Sequence, residues 1–467
     1  MATARQQTAV TLGLVAAALT FFIQACDVAG MSLALDHIGA DFGRGIDTTQ
    51  WVVNALALGY ALAIVLGGRL SDLFGPARLL AAGLCVFALG SAISAAAPTV
   101  AVLITGRAVA GIGVGVMWPA GLAFAYALVS PARAAFVGGM CVGSIAAGNA
   151  LGPIVGGLLV DGPGWRWVVI INIPVSLAAV VLVLRAHARN PHTVDRETGW
   201  GLDYRGAALL GLTLVALLIA LDRSGKGEGG ALVLYALAAL GFAAFVAVER
   251  RGGGASLVPP ELLRQRNFLF ACLAIATIAP AFWTGLVYLP LLAQRGLGYS
   301  AALTGVAMLP MMLTFMGTSF ASGHWYAALG PRLLTSIGAG SIAAGAVVLT
   351  LMQDPPSYLQ LALGMAALGA GIGVFFPTLT TVAALSVPLR LRGVAMGVLY
   401  TGEVIGGAIG LAAATAIFSQ SDAGSAALVD SFGRVFLLVA ITAVISLVIS
   451  LTLVATPAAD PDPTESF

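Results

Sequence analysis

The sequence predicts an all-α membrane protein with fourteen transmembrane helices. Charged residues make up only 9% of the chain and hydrophobic residues 59%, whereas a soluble domain carries about 25% charged residues. The polar residues lie in short islands between apolar runs of roughly 20 residues, the length that spans a bilayer core. These runs lack the alternation of polarity that is typical of membrane β-strands. Soluble enzymes, nucleic-acid-binding proteins and disordered chains are therefore excluded for the chain as a whole.

Charged residues and Gly/Pro breaks divide the apolar sequence into fourteen segments. The first segment is too long for the core of a signal peptide and shows no convincing cleavage site, so it is kept as a helix. The segments, numbered 1–14 in chain order, cover residues 9–35, 51–70, 78–97, 100–123, 134–160, 166–186, 205–222, 230–248, 267–292, 301–323, 332–352, 358–386, 393–418 and 433–455.

The loop arginines predict the orientation of these segments. With the N-terminus inside, fifteen basic residues fall on the cytoplasmic side and six on the opposite side, while Arg107 lies within segment 4. Cytoplasmic loops of membrane proteins are enriched in Lys and Arg. We therefore expect both termini in the cytoplasm and an even number of helices.

A faint internal repeat divides the chain into two halves. The stretch 111–119 of segment 4, with three alternate glycines and a proline, recurs 258 residues later at 369–377 in segment 12. The Gly-Pro pair at 75–76 recurs at 330–331. Duplicated six-helix halves are a transporter architecture with the site at their interface. We predict four parts: a six-helix half (1–190), two inserted helices with flanking loops (191–260), a second six-helix half (261–455) and a cytoplasmic tail (456–467).

No pattern indicates a metal, a cofactor or a nucleic-acid partner. The four cysteines are scattered within apolar segments without ligand spacing, and we expect them to be buried small hydrophobic residues. The net charge of +2 gives no basic field for nucleic acid. The Gly111-x-Gly113-x-Gly115 pattern lacks the preceding strand of a nucleotide-binding loop. It predicts close helix packing instead.

A charged turn follows segment 2. Its glycines permit a tight turn, and its acidic and basic residues can pair or meet helix ends of matching dipole. The string, which resembles the loop between helices 2 and 3 of the major facilitator superfamily, reads Gly68-Arg69-Leu70-Ser71-Asp72-Leu73-Phe74-Gly75-Pro76-Ala77-Arg78. The resemblance implies a cytoplasmic gate that latches the two halves together, formed by Gly68, Arg69, Asp72, Gly75 and Arg78. An ordinary charged loop is the alternative.

Segment 5 carries a stripe of glycines around a proline. Glycine at every fourth position lets a neighbouring helix approach closely, and Pro153 removes one backbone donor and can kink the helix. The string resembles the antiporter motif of proton-driven exporters in the superfamily, with the motif residues Gly148, Gly152, Pro153, Gly156 and Gly157. Generic glycine packing is the alternative. The strings 165–174 and 203–206 resemble the fourteen-helix branch of drug:proton antiporters.

Three charged side chains lie well inside apolar segments, away from the segment ends: Asp27 in segment 1, Arg107 in segment 4 and Glu403 in segment 13. Such residues usually face the bundle interior or water, and burial disfavours a charged carboxylate, which suits proton uptake. Asp27 matches the superfamily's helix-1 Asp, and the resemblance ties Arg107 to proton transfer. Because the acids come from opposite halves, both can face one cavity. The alternatives are structural hydrogen bonds for the acids and, for Arg107, a side chain that reaches the outer interface.

The resemblance runs from segment 1 to about segment 13. It implies a proton-coupled antiporter of the cytoplasmic (inner) membrane that exports amphipathic or cationic drugs or toxic compounds by alternating access. Its partners would be the small-molecule substrate, protons and the lipid bilayer, and we expect a monomer without cofactor or metal. The alternative is a metabolite uniporter or symporter, against which the segment-5 motif and the few amide side chains argue. A membrane enzyme is a third class, and the sequence lacks a nucleophile–base or metal constellation for it.

Overall fold

The computed structural model of the protein describes residues 2–189, 204–225, 229–251, 257–418 and 425–453. All regular secondary structure in these ranges is helical, which confirms the predicted all-α class. The predicted cytoplasmic tail at 456–467 and the whole 190–203 connection, with Asp203 of the branch-specific string, lie outside the described residues.

The main helices follow the predicted segments closely. The bounds are α1 (Ala2–Phe42), α2 (Trp51–Phe74), α3 (Pro76–Ala95), α4 (Val100–Ala127), α5 (Ala134–Asp161), α6 (Asn172–Arg189), α7 (Tyr204–Gly225), α8 (Ala231–Arg251), α9 (Arg266–Arg295), α10 (Leu309–Thr350), α11 (Tyr358–Leu385), α12 (Arg392–Phe418) and α13 (Ser425–Ser450). Short helical turns cover Ile46–Thr49, Pro131–Arg133, Arg166–Ile170, Pro260–Arg264, Ala301–Ala307 and Leu389–Leu391.

Twelve helices in the described part of the chain are long and apolar enough to cross a membrane, in place of the fourteen predicted. The difference has two sources. Segments 10 and 11 fall largely within the 42 residues of α10, whose two helical arms meet at a kink at Gly330, where the backbone is not helical, and count together as one span. The apolar part of α7, Arg205–Leu221, is shorter than the others. The protein is therefore a multi-pass helical membrane protein.

The two Gly-Pro pairs of the internal repeat adopt the same kind of turn. Gly75 ends α2 with φ of 91°, and Gly330 interrupts α10 with φ of 72°. These angles lie in the left-handed region that favours glycine. Each glycine is followed by a proline, which suits the first turn of a helix because it has no N–H to leave unpaired.

The helices pack into two groups with a third element beside them. In the N-terminal group, α1 contacts α5 and α6, while α4 contacts α2 and α3. In the C-terminal group, α9 contacts α12 and α13, while α10 contacts α11 and α13. The groups meet where α2 contacts α12 and where α5 contacts α10 and α11. Helix α7 contacts both α2 and α12, and α8 packs on α7, so the inserted pair lies beside the α2–α12 seam.

The four cysteines are free thiols, and they do not share one environment. Cys26 and Cys141 are buried, whereas Cys85 is exposed and Cys272 is partly buried. The expectation of burial was therefore wrong for Cys85, because apolar surface on a membrane helix can face lipid as well as protein. Among the described residues, no group of His, Cys, Asp or Glu could hold a metal ion.

Candidate functional site

Asp27 and Arg107 form a buried ion pair inside the N-terminal group. Nη1 of Arg107 donates a hydrogen bond to Oδ1 of Asp27 at 2.9 Å, and Nη2 lies 2.9 Å from Oδ2. The two residues are 2% and 1% exposed. Arg107 therefore faces the bundle interior, and the alternative of a side chain at the outer interface does not describe it.

Close packing of α2 on α4 places the guanidinium. Gly111, one turn after Arg107, packs against the backbone of Leu56, which lies one turn after Val52. This approach brings Nε of Arg107 to the carbonyl oxygen of Val52 at 3.2 Å, where it donates a hydrogen bond. The glycine pattern that predicted close helix packing thus also sets the position of the buried charge.

Asn172 completes this cluster, and the sequence reasoning did not assign it to the site. Its Nδ2 donates to Oδ1 of Asp27 at 2.7 Å and lies 3.4 Å from Oγ of Ser91. Both Asn172 and Ser91 are fully buried. The available signal was an amide residue within an apolar segment, at the first position of α6. Its partner is 145 residues away in the chain, so the contact itself was not visible in the sequence.

A cavity lies between the two helix groups and contains one carboxylate. It holds about 1080 Å³ of empty space, counting the part that is open. Glu403 on α12 lies in its wall and accepts a hydrogen bond from Nε1 of Trp283 at 2.8 Å. Glu403 is the only acidic residue and Arg107 the only basic residue among the described residues that line the cavity. Asp27 lies behind Arg107 and not in the wall, so the expectation that both acids face one cavity was wrong.

Aromatic rings of both helix groups meet in the wall of the cavity. The ring of Trp118 on α4 lies 5.4 Å from that of Tyr400 on α12 and 6.0 Å from that of Tyr60 on α2. Two turns further along α4, the hydroxyl of Tyr126 lies 3.2 Å from Oγ1 of Thr381 on α11. Both layers join the N-terminal group to the C-terminal group.

Asp72 adds a third connection, because its carboxylate caps the N-terminus of α12. Oδ1 accepts a hydrogen bond from the backbone N–H of Gly393 at 2.7 Å, and Oδ2 accepts one from Val394 at 2.9 Å. The first N–H groups of a helix lack partners within it, and the helix dipole favours a negative charge there. Gly68, one turn earlier, packs against the carbonyl of Gly393, where a Cβ atom would collide. The predicted gate turn thus joins α2 to α12.

The other gate residues contribute less directly to this seam. Arg69 is buried, Gly75 makes the turn, and Arg78 is exposed on α3. In the second copy of the turn, Ala327 stands where Asp72 stands in the first. The N-terminus of α5 makes no side-chain capping hydrogen bond, so the carboxylate cap belongs to the α2–α12 seam.

The predicted antiporter stripe packs α5 against α1 beside Asp27. A Cβ atom on Gly152 would lie 2.7 Å from Cβ of Ala29, and one on Gly156 would lie 2.5 Å from Cα of Gly30. Gly148 is in similarly close contact with α1, whereas a Cβ on Gly157 would meet nothing within 4 Å. Pro153 lies within α5, which continues to Asp161. Three of the five motif residues therefore set the spacing of the helix that carries Asp27.

The equivalent packing in the C-terminal group surrounds a neutral side chain. Gly406 packs against the backbone of Ala276 on α9, as Gly152 packs against Cys26 on α1. The residue after Ala276 is Thr277, which makes hydrogen bonds to neutral groups, whereas the residue after Cys26 is the buried acid. The N-terminal and C-terminal groups therefore share the same close helix packing, but only the N-terminal group has a charged residue at this position.

The chain is similar in sequence to known proteins. The family description "Major Facilitator Superfamily" matches residues 17–411. The protein belongs to this superfamily. Three similar relatives are the cephamycin export protein CmcT of Amycolatopsis lactamdurans (32% identical, covering 94% of this chain and 91% of the relative), the multidrug resistance protein Stp of Mycobacterium tuberculosis (30%, 86% and 74%), and the puromycin resistance protein pur8 of Streptomyces alboniger (32%, 82% and 76%).

Solved structures show the same superfamily fold. The proton:xylose symporter XylE superposes with a TM-score of 0.67 at 15% identity, covering 97% of this chain and 98% of that chain. The human organic anion transporter MFSD10 superposes with a TM-score of 0.64 at 17% identity, covering 94% and 99%. The members of the matching superfamily are transporters of small molecules, so this chain is a small-molecule transporter of the major facilitator superfamily.

Proposed function

We propose that this transporter is a proton-coupled antiporter that exports amphipathic or cationic compounds across the cytoplasmic membrane by alternating access. One observation carries the proposal: among the described residues that line the cavity between the helix groups, Glu403 is the single carboxylate, and the single basic residue, Arg107, is paired with a buried acid behind the wall. The names of the relatives, which are antibiotic and multidrug export or resistance proteins, support export.

The proposed topology has fourteen spans with both termini in the cytoplasm. The break at Gly330 permits α10 to form two spans that meet at a turn, and α7 can act as a short span. We group the spans as two six-helix halves with α7 and α8 inserted between them, in a monomeric carrier. With this topology Asp72 lies on the cytoplasmic side, and the seam that it caps closes the carrier toward the cytoplasm.

The charges of the site give each residue a role in this cycle. A cation in the cavity is attracted by Glu403 and by the faces of the aromatic rings around it. A proton that arrives from outside neutralises Glu403 and weakens this attraction. A proton on Asp27 removes the charge that compensates Arg107, and the unpaired guanidinium in the wall then repels a cationic substrate. Substrate release outward and proton entry are thereby coupled.

Everted membrane vesicles test the coupling. Addition of a substrate should dissipate an imposed proton gradient in vesicles with the wild-type carrier, and Asp27→Asn should abolish this response. Asp36→Asn is the matched control, because Asp36 is an exposed acid on the same helix, and it should respond like wild type. Transport without any proton movement in the wild type would identify a uniporter. A full response from Asp27→Asn would contradict the role of Asp27.

A further inference from the structure

In the side-chain amide of Asn172, the nitrogen makes hydrogen bonds and the oxygen makes none. Its nitrogen donates to Asp27 at 2.7 Å and approaches Ser91 at 3.4 Å. Its oxygen, Oδ1, is buried and accepts no hydrogen bond. Because buried polar atoms are nearly always hydrogen-bonded, an unpaired amide oxygen within a functional cluster requires an explanation.

The protonation chemistry of Asp27 supplies a partner for this oxygen. An ionised carboxylate only accepts hydrogen bonds, whereas a protonated carboxyl group also has an O–H to donate. The guanidinium of Arg107 and Nδ2 of Asn172 are donors only, so they match the ionised form. Arg107 is the charged group that contacts Asp27 in the described part of the chain, and the neighbouring thiol of Cys26 is buried. A protonated Asp27 therefore needs an acceptor that neither present partner atom can provide.

We propose that Asn172 is a positioning residue of the proton cycle, whose Oδ1 accepts the hydroxyl of protonated Asp27. Rotation of the amide about the Cβ–Cγ bond exchanges Nδ2 for Oδ1, so one side chain serves both states of the acid. The incoming proton binds Oδ1 of Asp27, the oxygen that lies 2.7 Å from the amide of Asn172. The same proton later leaves to water on the other side, and no bond between heavy atoms changes.

With this arrangement, the ion pair between Asp27 and Arg107 can open without leaving the O–H group of protonated Asp27 buried and without an acceptor. A residue with only a donor at position 172 would stabilise the ionised carboxylate and hold Arg107 in place. The amide instead provides a hydrogen bond at both ends of the proton cycle. The inference rests on the proposed function, because it requires Asp27 to take up a proton during transport.

Infrared difference spectroscopy of the full-length carrier tests this inference. The protein is made by cell-free synthesis with ¹³C-labelled asparagine, purified into lipid nanodiscs, and compared between alkaline and acidic buffer. A carboxyl band that is absent in Asp27→Asn reports protonation of Asp27. Over the same pH interval, we expect the labelled amide carbonyl band of Asn172 to move to lower frequency, because it gains a hydrogen-bond donor, and not to move in Asp27→Asn.

Two variants assign the amide band. Asn172→Gln keeps an amide but removes the label, so the shift should disappear. Asn149→Gln removes the label from an asparagine in the cavity wall, and the shift should persist. The wild type and Asp27→Asn alone decide the question if Asn172→Gln does not fold. A labelled band that stays unchanged while Asp27 titrates would overturn the inference and leave the proposed function intact. If no Asp27-dependent carboxyl band appears, Asp27 takes up no proton, and both fail.

Discussion

Replacing Asp72 should weaken the closed state of the transporter more than it weakens substrate binding. The carboxylate joins α2 to α12 through the N–H groups of Gly393 and Val394, and it lies outside the cavity wall. In Asp72→Asn, the side chain keeps one acceptor oxygen but presents an NH₂ group to the second N–H donor. The variant also loses the negative charge at the helix N-terminus.

The magnitude follows from these two losses. A hydrogen bond to a charged group contributes about 1.5–3 kcal/mol, and a charge near a helix terminus contributes about 0.3–1 kcal/mol. Asp72 is only partly buried, so solvent screening reduces both values. We expect the closed state to lose about 1–2 kcal/mol relative to the open state, which is a factor of about 5–30 in their ratio.

Distance measurements between two spin labels report this ratio. Labels at Phe74 and Leu389, which are 59% and 45% exposed, flank the seam from the two helix groups. The closed state gives the short distance, and Asp72→Asn should shift the distribution toward the longer one. The affinity for substrate, measured by equilibrium titration, should change less than this ratio.

Glu261→Gln is the matched control. Glu261 pairs with Arg390 at 2.7 Å, and both side chains are partly exposed. Both lie outside the N-terminal group, and exposed ion pairs contribute only about 0–1 kcal/mol, so this variant should leave the distances unchanged. If Asp72→Asn also leaves them unchanged, the carboxylate cap does not hold the seam closed, and our reasoning on the gate is wrong.

Three further variants test the packing and the charge of the site. Gly152→Leu should push α5 away from α1, so that coupled transport is abolished while membrane insertion stays normal. Its control is Gly157→Leu, because Gly157 faces open space. This control should transport like the parent in the vesicle assay. Glu403→Gln can keep the hydrogen bond from the indole of Trp283 but loses the negative charge. In an equilibrium titration, the affinity for a lipophilic monocation should fall about tenfold or more, which is about 1.4 kcal/mol. The affinity for an uncharged analogue should be retained. Gly211→Leu should push α7 away from α2, because a Cβ atom there would lie 3.1 Å from the backbone oxygen of Leu62. The label distances should lengthen less than for Asp72→Asn.

The positions of the membrane helices could be predicted from the sequence more accurately than the number of spans. Each membrane helix is a local property, because it needs only a sufficiently long apolar run, and the predicted segments overlap the observed helices. The count differed at Gly330, where the two helical arms of α10 meet at a kink and count together as one long apolar helix. Local composition marks the position of the break but not its angle, which depends on the packing of both arms against α11.

The sequence by itself determined the class of the protein, its internal repeat and the residues with unusual chemistry, because these depend on composition and spacing along the chain. It could not show that Asp27 is paired with Arg107 and lies behind the wall, that Asn172 joins them, or that Asp72 caps α12. These partners are 80, 145 and 321 residues apart in the chain. Only the packing of the helices brings them within hydrogen-bonding distance, and that packing decided which of the two acids faces the cavity.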